Sequence, residues 1–231
     1  MKWPILITIT VVLYSFFSSC KKSSSSNLAP ASIMVVNAMV GSNSIIPVFG
    51  KDTPRYFATS QTIGYGSSML YSPIGGMYDV SIIQIPDTSD IMFRGNLDLK
   101  EGGIYSFFLL GESKSLDTLF IKDIITNYTD SSAGIRFINL RIGSQPMTVN
   151  LKGTYPSQSE FTSLGFKQFT GFKQYNGKKG APTRYTFEIR DQTSGNILST
   201  YNWTYTRGRN NTIVIAGVDG GSVTVFKLNH Y

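Results

Sequence analysis

Ser32-Ile33-Met34-Val35-Val36-Asn37-Ala38-Met39-Val40-Gly41-Ser42 recurs 102 positions later as Gly134-Ile135-Arg136-Phe137-Ile138-Asn139-Leu140-Arg141-Ile142-Gly143-Ser144. Asn, Gly and Ser coincide, and apolar residues alternate at Ile33/Val35 and at Ile135/Phe137. Alternation with period two places such residues on one face of a strand. Each stretch therefore reads as a strand that ends in Asn and runs into a Gly-Ser turn. Asn37 and Asn139 stand where an amide fixes a turn by bonding local backbone. A ligand-binding amide is the other reading of the pair.

The match extends outward. Ile63-Gly64-Tyr65 answers to Leu164-Gly165-Phe166, and Tyr78-Asp79-Val80-Ser81-Ile82 to Tyr185-Thr186-Phe187-Glu188-Ile189. Gly102-Gly103-Ile104-Tyr105-Ser106-Phe107 is set against Asn210-Asn211-Thr212-Ile213-Val214-Ile215, and Gly111 against Gly217. A unit of about 100 residues is a duplicated domain rather than a solenoid repeat. Alternation returns at Tyr78/Val80/Ile82, Ile91/Phe93 and Thr224/Phe226/Leu228. Gly75-Gly76, Gly102-Gly103, Asn176-Gly177 and Asp219-Gly220-Gly221 punctuate it as turns. No segment keeps apolar residues at helical spacing for three turns. The expectation is an all-β chain of two tandem immunoglobulin-like or transthyretin-like antiparallel β-sandwich domains, with about seven strands each. They would span residues 31–128 and 129–231, parted at the polar break Asn127–Ser132.

The chain has 231 residues, 41% hydrophobic and 15% charged, which is a folding composition and not a disordered one. A single cysteine excludes an intrachain disulfide and a cysteine-cluster zinc site. The single histidine, His230, leaves no histidine triad in the body and no two-histidine metal site. No Gly-rich phosphate loop lies between a strand and a helix. The reading is non-enzymatic, with no cofactor.

Met1-Lys2 precedes an uncharged, largely apolar run of 15 residues, Trp3 to Phe17, closed by Ser18-Ser19-Cys20. The run is short for a span of about 20 residues and suits a signal core. It resembles a bacterial lipoprotein signal, which implies cleavage after residue 19, lipidation of Cys20 and a membrane anchor. Residues 20–30 then form a Ser-rich tether. In the Bacteroidetes-type lipoproteins that the chain resembles, an acidic run after the Cys goes with export to the surface. Lys21-Lys22 is basic and leaves open which face of the outer membrane is occupied. The strand ending in Asn, the Gly-aromatic pair and the Tyr-led strand after a Gly turn are similar to the lipoprotein-associated domain of unknown function 4397, over about 200 residues in two tandem copies. Asn37 and Asn139 stand where other members commonly carry His. The resemblance implies an extracytoplasmic β-sandwich and no particular activity.

Three features bear on binding. Tyr201, Trp203 and Tyr205 alternate on one strand, so they form either a core face or an exposed sugar-stacking platform. Trp203 and Tyr205 align with Leu97 and Leu99, which favours core. The segment 166–179 interleaves aromatics with Lys167, Lys173, Lys178 and Lys179. It reads as a hairpin with a solvated basic loop, or as a polyanion or membrane-surface contact. An exported chain has no nucleic-acid partner. Residues 31–130 carry a net charge of −4 and residues 131–231 a net charge of +8. Such a bipolar chain can dock its own halves, or turn its basic half to anionic lipid or acidic polysaccharide.

Two weaker signals remain. Asp87-Thr88-Ser89-Asp90 lacks calcium-loop spacing. Asp79, Asp98 and Glu101 have no carboxylate counterparts in the second copy. The function expected is a lipid-anchored envelope module that binds polysaccharide or another envelope protein. The alternative is a carbohydrate-binding accessory of a nutrient-uptake system.

Overall fold

A computed structural model describes residues 29–50, 62–86, 91–112, 115–177 and 180–230. The signal segment, Cys20, the Asp87–Asp90 stretch, Lys178 and Lys179 lie outside the described residues. The described chain is all-β. The first half supplies β1 (Ser32–Asn37), β2 (Ile45–Phe49), β3 (Ser67–Tyr71), β4 (Gly76–Gln84), β5 (Ile91–Leu99), β6 (Ile104–Glu112) and β7 (Ser115–Lys122). The second supplies β8 (Ala133–Ile142), β9 (Met147–Leu151), β10 (Phe161–Leu164), β11 (Lys173–Tyr175), β12 (Arg184–Asp191), β13 (Ile197–Thr204), β14 (Asn210–Val218) and β15 (Val223–His230). Sheets β2-β4-β5 and β3-β1-β6-β7 form one sandwich, and β10-β9-β12-β13 and β11-β8-β14-β15 form the other. Pairing is antiparallel except that β1 runs parallel to β6, and β8 to β14.

The two halves correspond strand for strand. The addition in the second is β10, where the first has one bridge between Ile45 and Ile63. The strand pairings correct one part of the sequence alignment. Ser32 faces Ile104 and Gly134 faces Asn210, so Ile104 corresponds to Asn210 and Phe107 to Ile213. The sequence match is two residues out there, although Gly111 and Gly217 do correspond. The cause is physical: β6 and β14 are buried on both faces, so no polar alternation marks their register.

Asn37 and Asn139 are fully buried, and both act on backbone. Asn37 Nδ2 donates to the Ile63 carbonyl at 3.1 Å and Asn139 Nδ2 to the Leu164 carbonyl at 3.0 Å. Each Oδ1 accepts from the amide two residues on, Met39 or Arg141. The amide thus closes the turn after the opening strand and ties it to the next segment.

The halves meet face to face. Ile33 and Val35 point into the first sandwich, and Ile135 and Phe137 into the second. Their neighbours Met34, Val36, Ile138 and Leu140 join Phe108, Leu110, Val214, Ala216 and Leu228 in a third core between the sandwiches. A polar chain crosses this seam. Arg136, at the position of Met34, donates from Nη2 to Asp123 Oδ1 and from Nε to Thr212 Oγ1 at 2.7 Å. Asp123 Oδ2 accepts from Ser106 Oγ at 2.6 Å, and Thr212 Oγ1 lies 2.7 Å from His230 Nε2. By the strand pairing, Ser106 corresponds to Thr212 and Asp123 to His230. The guanidinium also lies 4.7 Å from the Phe172 ring centre. Arg136 and Asp123 side chains are 4% and 0% exposed, so neither charge has water to fall back on.

Two consequences are measurable. Arg136→Met strands the Asp123 carboxylate and is expected to destabilise by about 3–5 kcal/mol, with much of that recovered when Asp123→Asn is added. Urea unfolding of the four proteins of that cycle measures it. Burial, and then the Arg136 charge, push the His230 imidazole down from 6.5 to about 4, against the pull of Asp123. The unfolded chain therefore takes up this proton before the folded one does. Stability present at pH 7 falls as pH drops from 6.5 toward 4, by about 3 kcal/mol from this group. Thermal melts across that window are expected to show the fall, and His230→Gln is expected to flatten it.

Candidate functional site

Trp203 is fully buried, so the stacking-platform reading is corrected: Trp203 turns into the core, and Tyr201 and Tyr205 pack against it partly buried. The indole sits among Tyr175, Tyr185 and Phe187, and its Nε1 donates to Asn211 Oδ1 at 2.7 Å. The aligned Leu97 carried that signal. Trp203 is thus removed from the candidate ligand-binding residues. Trp203→Ala is expected to cost about 3–5 kcal/mol, whereas loss of a solvent-facing stacking ring would leave the melting temperature unchanged.

The predicted lysine cluster does not assemble among the described residues. Lys167 pairs with Asp117 of β7 at 2.6 Å, across the seam. Lys173 pairs with Glu160 at 2.6 Å. Burial alone would raise the Glu160 carboxyl, but hydrogen bonds from Lys173 and Tyr175 outweigh it and hold the group below its ordinary value. Each lysine is thus drawn to a carboxylate of its own.

Among the described residues, positive charge is left without an ion pair elsewhere. Between β13 and β14 the chain turns through Thr206-Arg207-Gly208-Arg209. Gly208 takes φ 67° and donates its amide to the Ser132 carbonyl at 2.8 Å, while the Arg209 amide returns to the Thr206 carbonyl at 3.2 Å. A positive φ at this place suits glycine. Both arginines are exposed, and among the described residues neither is ion-paired. The turn divides two clefts. One, of about 400 Å³, is lined by Thr206, Arg209, Asn211, Asn229 and His230. The other, of about 270 Å³, includes Gly177, Pro182, Thr183, Tyr205 and Arg207.

Tyr205 stands at the rim of the core with its ring centre 6.0 Å from that of Trp203. Its hydroxyl is buried and, among the described residues, makes no hydrogen bond. A Cβ on Gly177 would collide with that hydroxyl and with the Ser131 carbonyl, so glycine is what lets the tyrosine lie there. Of the predicted residues, Tyr205 is the one the structure brings to this surface. Arg207 and Arg209 were missed, although two arginines flanking a Gly in a turn were legible as a basic loop.

Other carboxylates raised by the sequence are engaged locally. Asp79 accepts from Asn96 at 2.8 Å and Asp98 pairs with Lys100 at 2.6 Å. Among the described residues no group of three His, Cys, Asp or Glu is placed to hold a metal ion.

No protein-family model matches the chain, and no curated protein matches it. Several solved structures are similar in part, three of them as follows. A streptococcal virulence factor described for alpha-glucan binding has 9% identity over 85% of this chain and 96% of that one, with a TM-score of 0.27. A family 26 carbohydrate-binding module from Eubacterium rectale, in complex with maltoheptaose, has 11% identity over 85% and 97%, with a TM-score of 0.27. The TIE protein of Bacillus anthracis has 9% identity over 85% and 34%, with a TM-score of 0.26. Likeness at scores this low carries no weight for the function.

Proposed function

We propose that the chain is a non-enzymatic envelope protein, held to the outer membrane through a lipid on Cys20, that binds acidic polysaccharide with its second sandwich. The Ser-rich tether after Cys20 then spaces the double sandwich from the bilayer. One observation carries the binding role: Arg207 and Arg209, exposed and not ion-paired among the described residues, on a turn between two clefts. A guanidinium offers a planar fork of donors that matches a carboxylate. Asn229 adds an exposed amide beside Arg209, and the Tyr205 side chain lines the other cleft beside Arg207. A uronic-acid chain running over the turn meets one guanidinium on each side.

Binding of the mature protein to polygalacturonate is the test, with uncharged dextran as control. Affinity is expected to be measurable at low salt and to weaken steeply toward physiological salt of about 0.15 M. Arg207→Ala with Arg209→Ala is expected to weaken it about tenfold or more, with an unchanged melting temperature. Equal binding by the double variant, or equal binding to dextran, overturns the reading.

A further inference from the structure

The opposite end of β14 from the arginine turn carries a further cleft, of about 360 Å³, on the seam itself. The first half contributes Glu112, Ser115 and Asp117, and the second Ile142, Phe166 and Val218. The size falls in the ordinary range for small-ligand sites, about 300–1,000 Å³. Phe166 is 36% exposed. Glu112 is exposed and, among the described residues, not ion-paired.

The turn that holds Phe166 differs between the two halves in a telling way. In the first half its apex is Gly66, at φ 73°, with its amide donating to the Asn37 carbonyl at 2.8 Å. In the second half the same place, with the same bond to Asn139 at 2.7 Å, is Lys167 at φ 60°. A left-handed backbone suits glycine and strains an L-residue. Strain of this kind persists where the side chain is held in place by its surroundings. The Lys167 side chain reaches over the seam to Asp117 at 2.6 Å, with its ammonium 5.9 Å from the Phe166 ring centre.

We infer that this cleft is a second site, separate from the arginine turn, that takes one uncharged sugar ring. The ring's C–H face lies on Phe166, whose π face is negative. Its hydroxyls meet Glu112 as acceptor, Ser115, and the donor-acceptor pair of Lys167 and Asp117. Among the described residues two carboxylates stand against one ammonium, a balance that repels an anionic sugar and separates this ligand from that of the arginine turn. Because both halves line the cleft, the site exists only while the sandwiches are packed together.

Amide NMR of the mature protein, titrated with hexasaccharides of glucose, mannose, galactose and xylose, tests this. Saturating shifts are expected with at least one probe, centred on Glu112, Ser115, Phe166 and Lys167. The Arg207→Ala, Arg209→Ala double variant is expected to retain them, so this site and the acidic site fail or stand independently. Phe166→Ala is expected to weaken binding about tenfold or more. Lys167→Gly relieves the backbone, so it is expected to keep or raise the melting temperature while also weakening binding about tenfold. The absence of shifts at these residues with all four probes overturns the inference, as does wild-type affinity in both variants.

Discussion

Four strands of this protein, β1, β6, β8 and β14, are covered on both faces, and the seam between the sandwiches is what covers the second face. A strand in that position has no solvent side and must be apolar nearly throughout. Val36, Phe108, Leu110, Ile138 and Val214 are therefore seam residues as much as Ile33 or Phe137 are sandwich residues. The Arg136–Asp123 pair sits inside this apolar contact. A buried ion pair is a weak source of net stability, but it punishes any arrangement that separates the charges. The apolar cluster supplies attraction, and the pair restricts which arrangement of the halves is tolerated.

The charge difference between the halves has a place in this design. Part of it is cancelled across the seam, by Arg136 with Asp123 and by Lys167 with Asp117. The arginines of the 206–209 turn lie outside those pairings. Charge that is neutralised inside the molecule holds it together, and charge left on a turn is available to a ligand. A count of residues cannot make this division, since it depends on which side chains come within reach of a partner.

Differences between the two copies are as informative as the repeat. Both copies keep the buried Asn, the Gly at 111 and 217, and the alternation of the outer strands, all of which a sandwich needs. Met34 against Arg136 and Asp123 against His230 mark where the copies answer each other across the seam. Leu97 against Trp203 enlarges the second core, and Asn211 supplies the hydrogen bond that a buried indole requires. Gly66 against Lys167 exchanges an easy backbone for a side chain at the cleft.

Period-two alternation, Gly-rich turns and an internal match with an offset of 102 determined the all-β class and the two-sandwich plan. The roles of Asn37, Asn139 and Trp203 were legible because a residue kept, or replaced by another apolar one, in both copies serves folding. The register of β6 against β14 was not legible. Both are buried on both faces and carry no regular polar alternation, so a shift by two is not marked in the pattern. The face-to-face seam was hidden for the same reason, although the unbroken apolar runs were its one local trace. Which cations are free was decided by tertiary structure alone. Lys167 finds Asp117, 50 residues away in sequence, while among the described residues Arg207 and Arg209 form no ion pair. Local periodicity reports which face of a strand is apolar. What lies opposite that face, and which charge meets which, is set by contacts between residues distant in the chain.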